Sequence, residues 1–390
     1  MNERRSSEQL SPAFVNRLKE FRAARGLSQG ELAAGADITR QAVSSIESNA
    51  YLPTTAVALR LAAMLKCRVE DLFCLAESEQ AIEGKLVGAL PASAASSESV
   101  RVKVASVGGK TVVRPVVGLG EVLSFAVPTD GYLVDPRHAR SGSTVRVKLS
   151  RDQRAIDQEI AVAGCDPAIF LAGEHLRRQK DQTSVVGWSM GSMAALRALQ
   201  QGEVHVAGLH LYDPATGESN LPFLRRLVKG SRYQVVTFAT WEEGFLVRAG
   251  NPKSIRTAAD LADASVRLVN REEGAGARLL LDQRLRTAGI DSARVHGYDR
   301  AVSSHFEVAR AIAAHQADVG IGIRSAAQLF GLDFVPIQSA RYDLVAPKSY
   351  LKSHPTLAHL FETLTSRSFR TEIAALGGYD TTDTGKTHAL

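Results

Sequence analysis

The spacing of apolar and polar positions divides the chain into four textures. From Leu27 to Asn49 (LSQGELAAGADITRQAVSSIESN) apolar residues recur at three- and four-residue steps in two short bursts. Leu32, Ala33 and Ala36 give a first helix its inner face, and Val43 and Ile46 do the same for a second. Ser28 with Glu31 forms a capping box that starts the first helix, Thr39 caps the second, and Gly35-Ala36-Asp37 breaks the chain between them. The stretch from Ala76 to Glu98, rich in Ala, Ser and Glu, reads as a linker or partly helical connector. From Val100 to Val147 the texture becomes short β-branched runs (VRVKVASVGG, KTVVRPVVGLG, STVRVKL) punctuated by Gly, Pro and Asp, which predicts a β-rich segment. Beyond Glu159 apolar strands alternate with helices: IAVAGC before AIFLAGEHLRR, TSVVGW before SMAALRALQQG, VRLVN before ARLLLDQRLRTAG, and a final helix from about Pro355 to Leu376. That alternation predicts a parallel α/β sheet whose ligand sites lie in the loops where strands end.

Composition narrows the class. A chain of 390 residues exceeds one ordinary domain, and 45% hydrophobic with 23% charged residues is a globular composition. The polar start MNERRSSEQLSPAF lacks an apolar signal core and no run of about eighteen apolar residues occurs, so a cytoplasmic protein without membrane contact is expected. Cys67, Cys74 and Cys165 make neither a CxxC pair nor a disulfide framework, and the first two read as core fillers. The net charge of +6 suits an acidic partner, but the basic excess is spread along the chain and does not by itself identify nucleic acid.

The second short helix turns Arg40, Gln41, Ser44 and Ser45 outward, where Arg can fork onto guanine and Gln onto adenine. Gln29 and the start of its helix suit a phosphate. Arg17, Arg22 and Arg25 face either a phosphate backbone or solvent. With S-Q-x-E-L, T-R-Q-A-V-S-x-I-E, Pro53 before a helix carrying Leu61 and Leu65, and Val69-Glu70-Asp71-Leu72-Phe73, residues Phe14 to Phe73 resemble the Cro/C1-type (XRE-family) helix-turn-helix domain. The resemblance implies a homodimer on a double-stranded, two-fold symmetric DNA operator. Its contact positions fall on Gln29, Arg40, Gln41 and Ser45, with Ser44 and the cap Thr39 beside them.

Three strand-end loops carry the remaining chemistry: Gly164-Cys165-Asp166-Pro167, Gly187-Trp188-Ser189-Met190-Gly191-Ser192, and Asn270 to Arg278 (NREEGAGAR). In the third, two glycines before a helix predict an anion site. The second matches the G-x-S-x-G nucleophile elbow, so a serine hydrolase built on Ser189 is the alternative function. Against it, no oxyanion stretch is evident, and His305, His315 and His354 have no distinctive setting. His210 reads as a core histidine, and His305, in S-S-H-F before a helix, as a ligand candidate.

Through A-G-C-D-P, H-V-A-G-L-H-L-Y-D-P-A-T-G-E-x-N, N-R-E-x-G-A-G-A-R-L-L-L-D and A-D-V-G-I-G-I, the chain from Ala163 to about Gly385 resembles the periplasmic-binding-protein-like domain related to molybdate-binding proteins. The resemblance implies two lobes, with crossings near Ala239 to Gly250 and Val335 to Leu344, and a ligand clamped between them. It makes Ser192, rather than Ser189, the functional serine. The expected ligand is a small oxyanion, molybdate or tungstate first and a sulfur oxyanion or small organic anion next. It would be held by Ser192, Arg271, Gly274, Gly276, Arg278 and His305. Asp166 would repel an anion, so it either caps the following helix or binds a donor group of the ligand. The expected organisation is therefore multidomain: an all-α helix-turn-helix domain (13–75), a linker (76–98), a β-rich connector (99–155) and a two-lobed α/β type II binding domain (156–385). No catalysis, cofactor or metal is expected.

Overall fold

A computed structural model describes residues 14–75, 81–90, 99–119, 125, 127–179, 183–228 and 232–390. These form two compact units divided after Gln80. In the first unit, strand β1 (Phe14–Asn16) pairs antiparallel with β2 (Phe73–Leu75) around helices α1 (Leu18–Ala24), α2 (Gln29–Gly35), α3 (Arg40–Glu47), α4 (Thr55–Leu65) and α5 (Val69–Leu72). Leu18, Leu32, Val43, Ile46, Leu61, Leu65 and Leu72 fill its core. The capping box is complete: Ser28 Oγ accepts from the Glu31 amide at 3.2 Å and the Glu31 carboxylate accepts from the Ser28 amide at 2.7 Å. Glu47 of α3 takes the Arg22 guanidinium at 2.6 Å and the Gln29 side-chain amide at 2.9 Å, which ties α1, α2 and α3 together. Against the cost of burial, those two partners hold its carboxyl below the usual range.

The second unit begins with a closed barrel of β3 (Ala81–Leu86), β4 (Arg101–Val107), β5 (Lys110–Pro115), β6 (Gly131–Val134) and β7 (Thr144–Leu149), around Leu86, Val102, Val113, Leu133 and Val147. The β-rich reading of this region thus extends N-terminally. β3 lies inside the expected linker and pairs with both β5 and β7, so 81–86 is barrel wall; residues 76–80 and 91–98 of that linker lie outside the described residues.

Buried polar ties fasten the barrel to the α/β domain. Lys103 on β4 donates to Asp130 at 2.7 Å and to Glu159, at the entrance to that domain, at 3.1 Å. Arg151 reaches the same two carboxylates, and Ser184 donates to Glu159 at 2.6 Å. Arg114 of β5 pairs with Glu203 at 2.9 Å. His205 accepts the Ala161 amide on Nδ1 at 3.0 Å and places Nε2 2.9 Å from the Ser106 carbonyl of β4.

The α/β domain adds β8 (Ile160–Gly164), β9 (Val185–Ser189) and β10 (Val206–Leu209), a small ribbon of β11 (Tyr212–Asp213) and β12 (Glu218–Ser219), and the long strand β13 (Tyr233–Val247). Next come the pair β14 (Asn270–Arg271) and β15 (Ala301–Val302), then β16 (Val319–Ile323), the long β17 (Asp333–Pro347), β18 (Tyr379–Asp380) and β19 (Thr387–His388). Sheet order is β16-β13-β17-β10-β8-β9, with β18 and β19 on β13. The expected all-parallel sheet is in fact mixed. β8 runs parallel to β9 and β10, but β10–β17, β13–β17 and β13–β16 are antiparallel, because the chain passes between lobes along continuous strands instead of helical crossovers. β19 carries the domain past residue 385. The single C-terminal helix expected from Pro355 to Leu376 is two, Leu357–Leu364 and Arg367–Ala375, because Ser366 caps the second. Among the described residues no helix is long and apolar enough to cross a membrane.

Burial, with His354 beside it, holds His205 neutral, its pKa down to about 4. An unstructured histidine titrates near 6.5. Between those values only the unfolded chain takes up the proton, so this contribution to stability is complete above about pH 6.5 and is lost as the pH falls toward 4. Urea unfolding of the parent and of His205→Gln across this range should give a stability difference that shifts by on the order of 3 kcal/mol. A difference independent of pH would contradict the assignment.

Candidate functional site

In the first unit, α3 buries Val43 and Ile46 and leaves Arg40, Gln41 and Ser44 exposed, with Ser45 half-buried. Arg40 has no ion pair among the described residues, so its guanidinium is free to fork onto a base edge. Other expected contacts are engaged internally. Thr39 Oγ1 accepts from the Ala42 amide at 3.1 Å, which orients the helix. Gln29 gives one amide N–H to Glu47, and the same carboxylate holds Arg22.

In the second unit, a cavity of about 300 Å³ opens between the lobes. Ile169 and Phe170 wall it from one lobe, Phe306, Leu329 and Phe330 from the other, and its floor is Cys165, Asp166, Ser189 and Tyr342. Glu307 and Arg310 stand on the lobe-two side. Next to the floor is a nest of buried rings. Trp241 stacks on Tyr342 with centroids 4.7 Å apart, and His210 lies 5.3 Å from Trp241 and 5.4 Å from His305.

An unusual number of polar atoms here lack a hydrogen-bond partner among the described residues. They are Asp166 Oδ2, Ser189 Oγ, His210 Nε2, Trp241 Nε1, Arg271 Nη1, Tyr342 Oη and both ring nitrogens of His305. Protein interiors pair nearly all such groups, so a concentration of them in one place marks a site prepared for something else. Glu243 lies 2.9 Å from His210 Nδ1. Burial opposes a charge on His210, but the adjoining Cys165 and the Glu243 carboxylate push its pKa up to about 10. His305 goes the other way: burial, then Arg271 and His210, hold it neutral. Burial raises Asp166 to about 6 although the Ala168 amide and the Tyr379 hydroxyl both donate to its Oδ1.

The structure sorts the expected ligand residues. Asp166 takes the first of the two roles left open for it: Oδ1 accepts the Ala168 amide at the entrance to the following helix, while Oδ2, on the cavity floor, has no hydrogen-bond partner among the described residues. Arg271 is buried and forks onto Glu272 at 2.8 and 2.9 Å and onto the Ser303 carbonyl at 3.0 Å, leaving Nη1 free. His305 is in the nest.

Ser192 is not on the cavity wall: its buried hydroxyl accepts the His210 amide at 3.1 Å and so fixes the end of β10. The two glycine loops meet each other, with the Met193 amide donating to the Gly274 carbonyl at 3.3 Å. Gly276 is a close-approach position, since a Cβ there would stand 2.2 Å from the His210 carbonyl oxygen. Arg278 lies over Tyr298, 4.2 Å from the ring centroid, and donates to the Arg271 carbonyl; it braces the second lobe.

Ser189 ends β9 with ordinary backbone geometry, and its hydroxyl contacts neither a histidine nor a carboxylate among the described residues. The hydrolase reading therefore loses its dyad. Reading the sequence missed Cys165, His210, Trp241 and Tyr342. Cys165 stood in a loop already singled out, but nothing along the chain connects it to His210 or His305. The ligating atoms of these three lie within 4.8 Å of one another, close enough to share one ion.

Comparison with known proteins agrees with this layout. The helix-turn-helix family matches residues 18–72, and a PBP superfamily domain matches residues 173–365. The uncharacterized protein YvgK of Bacillus subtilis (strain 168) is 34% identical over 227 residues, 58% of this chain and 72% of that protein. The uncharacterized HTH-type transcriptional regulator YgzD of the same organism is 39% identical over 62 residues, 16% of this chain and 94% of its own.

Ser192→Ala would leave the buried His210 amide unpaired. It should cost about 1–3 kcal/mol of stability in denaturant unfolding. A wild-type midpoint in that variant would show that the hydroxyl does not hold the strand end.

Proposed function

The chain belongs to the XRE-type helix-turn-helix family and carries a periplasmic-binding-protein-like domain of the PBP superfamily, and on that premise we propose that it is a ligand-responsive DNA-binding transcription regulator whose ligand is a small anion. The observation that carries the ligand class is a set of buried donors without an acceptor among the described residues: Ser189 Oγ and the Tyr342 hydroxyl, which line the interlobe cavity, with Arg271 Nη1 and Trp241 Nε1 buried away from its lining. Such donors match an acceptor-rich guest and cost no reorganisation when it arrives. Arg271 is neutralised by Glu272, so it offers a directed N–H rather than a bare charge. Molybdate and tungstate belong to the class, but the walls of Ile169, Phe170, Phe306, Leu329 and Phe330 favour a small organic anion that buries an apolar body there.

Titration calorimetry with molybdate, tungstate, sulfate, phosphate and a panel of short and aromatic carboxylates tests this. At least one should bind more tightly than about millimolar, equivalent to about −4 kcal/mol, and Arg271→Ala should weaken it at least roughly tenfold. No binding across the panel would overturn the anion class. A saturating ligand should change operator affinity by about 1–3 kcal/mol, and equal affinity with and without it would overturn the sensor reading.

The DNA side rests on the exposed N-terminal half of α3. We take the working form to be a homodimer on a two-fold symmetric operator in the cytoplasm, because one such helix reads only a few base pairs. Arg40→Ala should cost roughly 1–3 kcal/mol and relax preference at one position in each half-site. Equal losses on all sequences in a footprinting series would make Arg40 a phosphate contact.

A further inference from the structure

We propose that Cys165, His210 and His305 form a metal site that binds one borderline-soft d-block ion per chain, zinc(II) foremost. The three side chains are buried and offer one sulfur and two imidazoles, donor types that zinc and copper both take. Ligand atoms around one tetrahedral ion at about 2.0–2.3 Å stand roughly 3.3–3.7 Å apart. Atoms already within 4.8 Å of one another reach that arrangement by side-chain shifts of about an ångström.

The surroundings are those of a ligating site rather than of a packed core. Glu243 faces His210 Nδ1 at 2.9 Å, the carboxylate–histidine arrangement that turns Nε2 toward an ion, and Gln338 holds the other Glu243 oxygen at 3.2 Å. Both ring nitrogens of His305 are buried without a hydrogen-bond partner among the described residues, a desolvation cost that coordination would remove. Gly276 is what allows a helix start to close over this imidazole: a Cβ would come within 2.7 Å of His210 Cε1 and Nδ1. Three protein ligands leave one tetrahedral position for water or for a guest of the cavity, whose floor Cys165 forms. The anion reading uses Arg271, Trp241, Tyr342 and Ser189, so this inference does not rest on it.

The full chain, stripped with a chelator and kept reduced, is titrated with cobalt(II) as a spectroscopic stand-in and then with zinc(II). The expected result is a thiolate-to-cobalt charge-transfer band with visible d–d bands of a four-coordinate ion, saturating at one cobalt per chain and bleached by zinc. Cys165→Ser should abolish the charge-transfer band, and His305→Gln should lower zinc affinity at least roughly tenfold while keeping the thiolate band. Glu243→Gln should weaken zinc by about 10- to 100-fold. Circular dichroism of each variant checks that it is folded, and if one is not, the parent's stoichiometry and the other variants decide. No band at micromolar cobalt, or a band that survives Cys165→Ser and so belongs to Cys67 or Cys74, overturns the proposal. Failure of the anion titrations leaves this outcome unchanged, and the reverse holds as well.

Discussion

The antiparallel pairing of β13 with β17 is the constraint on which the binding domain depends. Each strand is 15 residues long and the two are in register from Tyr233–Pro347 to Val247–Asp333, a ladder of roughly 50 Å at about 3.3 Å per residue. At one end β17 pairs with β10 and β13 with β19; at the other β13 pairs with β16. The two lobes are therefore built on one shared ribbon, and a change in the angle between them has to be absorbed within it. The ladder is irregular at two places, Thr237/Ala239 and Glu243/Gly244. Trp241 lies between these irregularities, and Glu243, which faces His210, borders the second. The nest is thus placed at the irregular stretch of the ribbon that both lobes share.

That placement requires close approaches that only missing side chains allow. The Tyr342 hydroxyl lies between the ends of β8 and β10, where a Cβ at Gly164 would stand 2.1 Å away and one at Gly208 1.8 Å away. Gly164, read from sequence as part of a ligand loop, is there to admit a phenol. The rings then shield one another, and the nest's unpaired groups are kept from water by Phe238, Trp241 and the strands around them. Burying such groups is unfavourable by itself, and the three apolar clusters of this domain offset it.

How much of the molecule was legible in sequence depends on the range of its interactions. The helix-turn-helix was readable because its signals are local: Ser28 and Glu31 are three apart, Val43 and Ile46 are three apart, and each capping bond closes within a turn. The tie of Gln29 and Arg22 to Glu47 was not, since it crosses three helices and depends on their packing. β3 was hidden because AIEGKL alternates only weakly and sits among Ala-, Ser- and Glu-rich neighbours; its partners, β5 and β7, supply what the pattern lacks. The cluster of Cys165, His210 and His305 is legible only after folding. A loop after β8, the end of β10 and the start of a lobe-two helix each bring one donor, and nothing in any one stretch encodes the other two.

The barrel, which had no expected chemistry, gains its importance from these connections. In chain order the helix-turn-helix unit is followed by β3 of the barrel. The barrel is in turn joined to the first lobe by Lys103 with Asp130 and Glu159, by Arg114 with Glu203 and by His205 with Ser106. Taking one partner from a buried pair of this kind costs about 3–5 kcal/mol, because the remaining charge cannot return to water. That exceeds the 1–3 kcal/mol over which allosteric couplings normally operate. The barrel and first lobe are therefore fastened together by buried charge pairs, whereas the second lobe is joined to them through the β13–β17 ribbon.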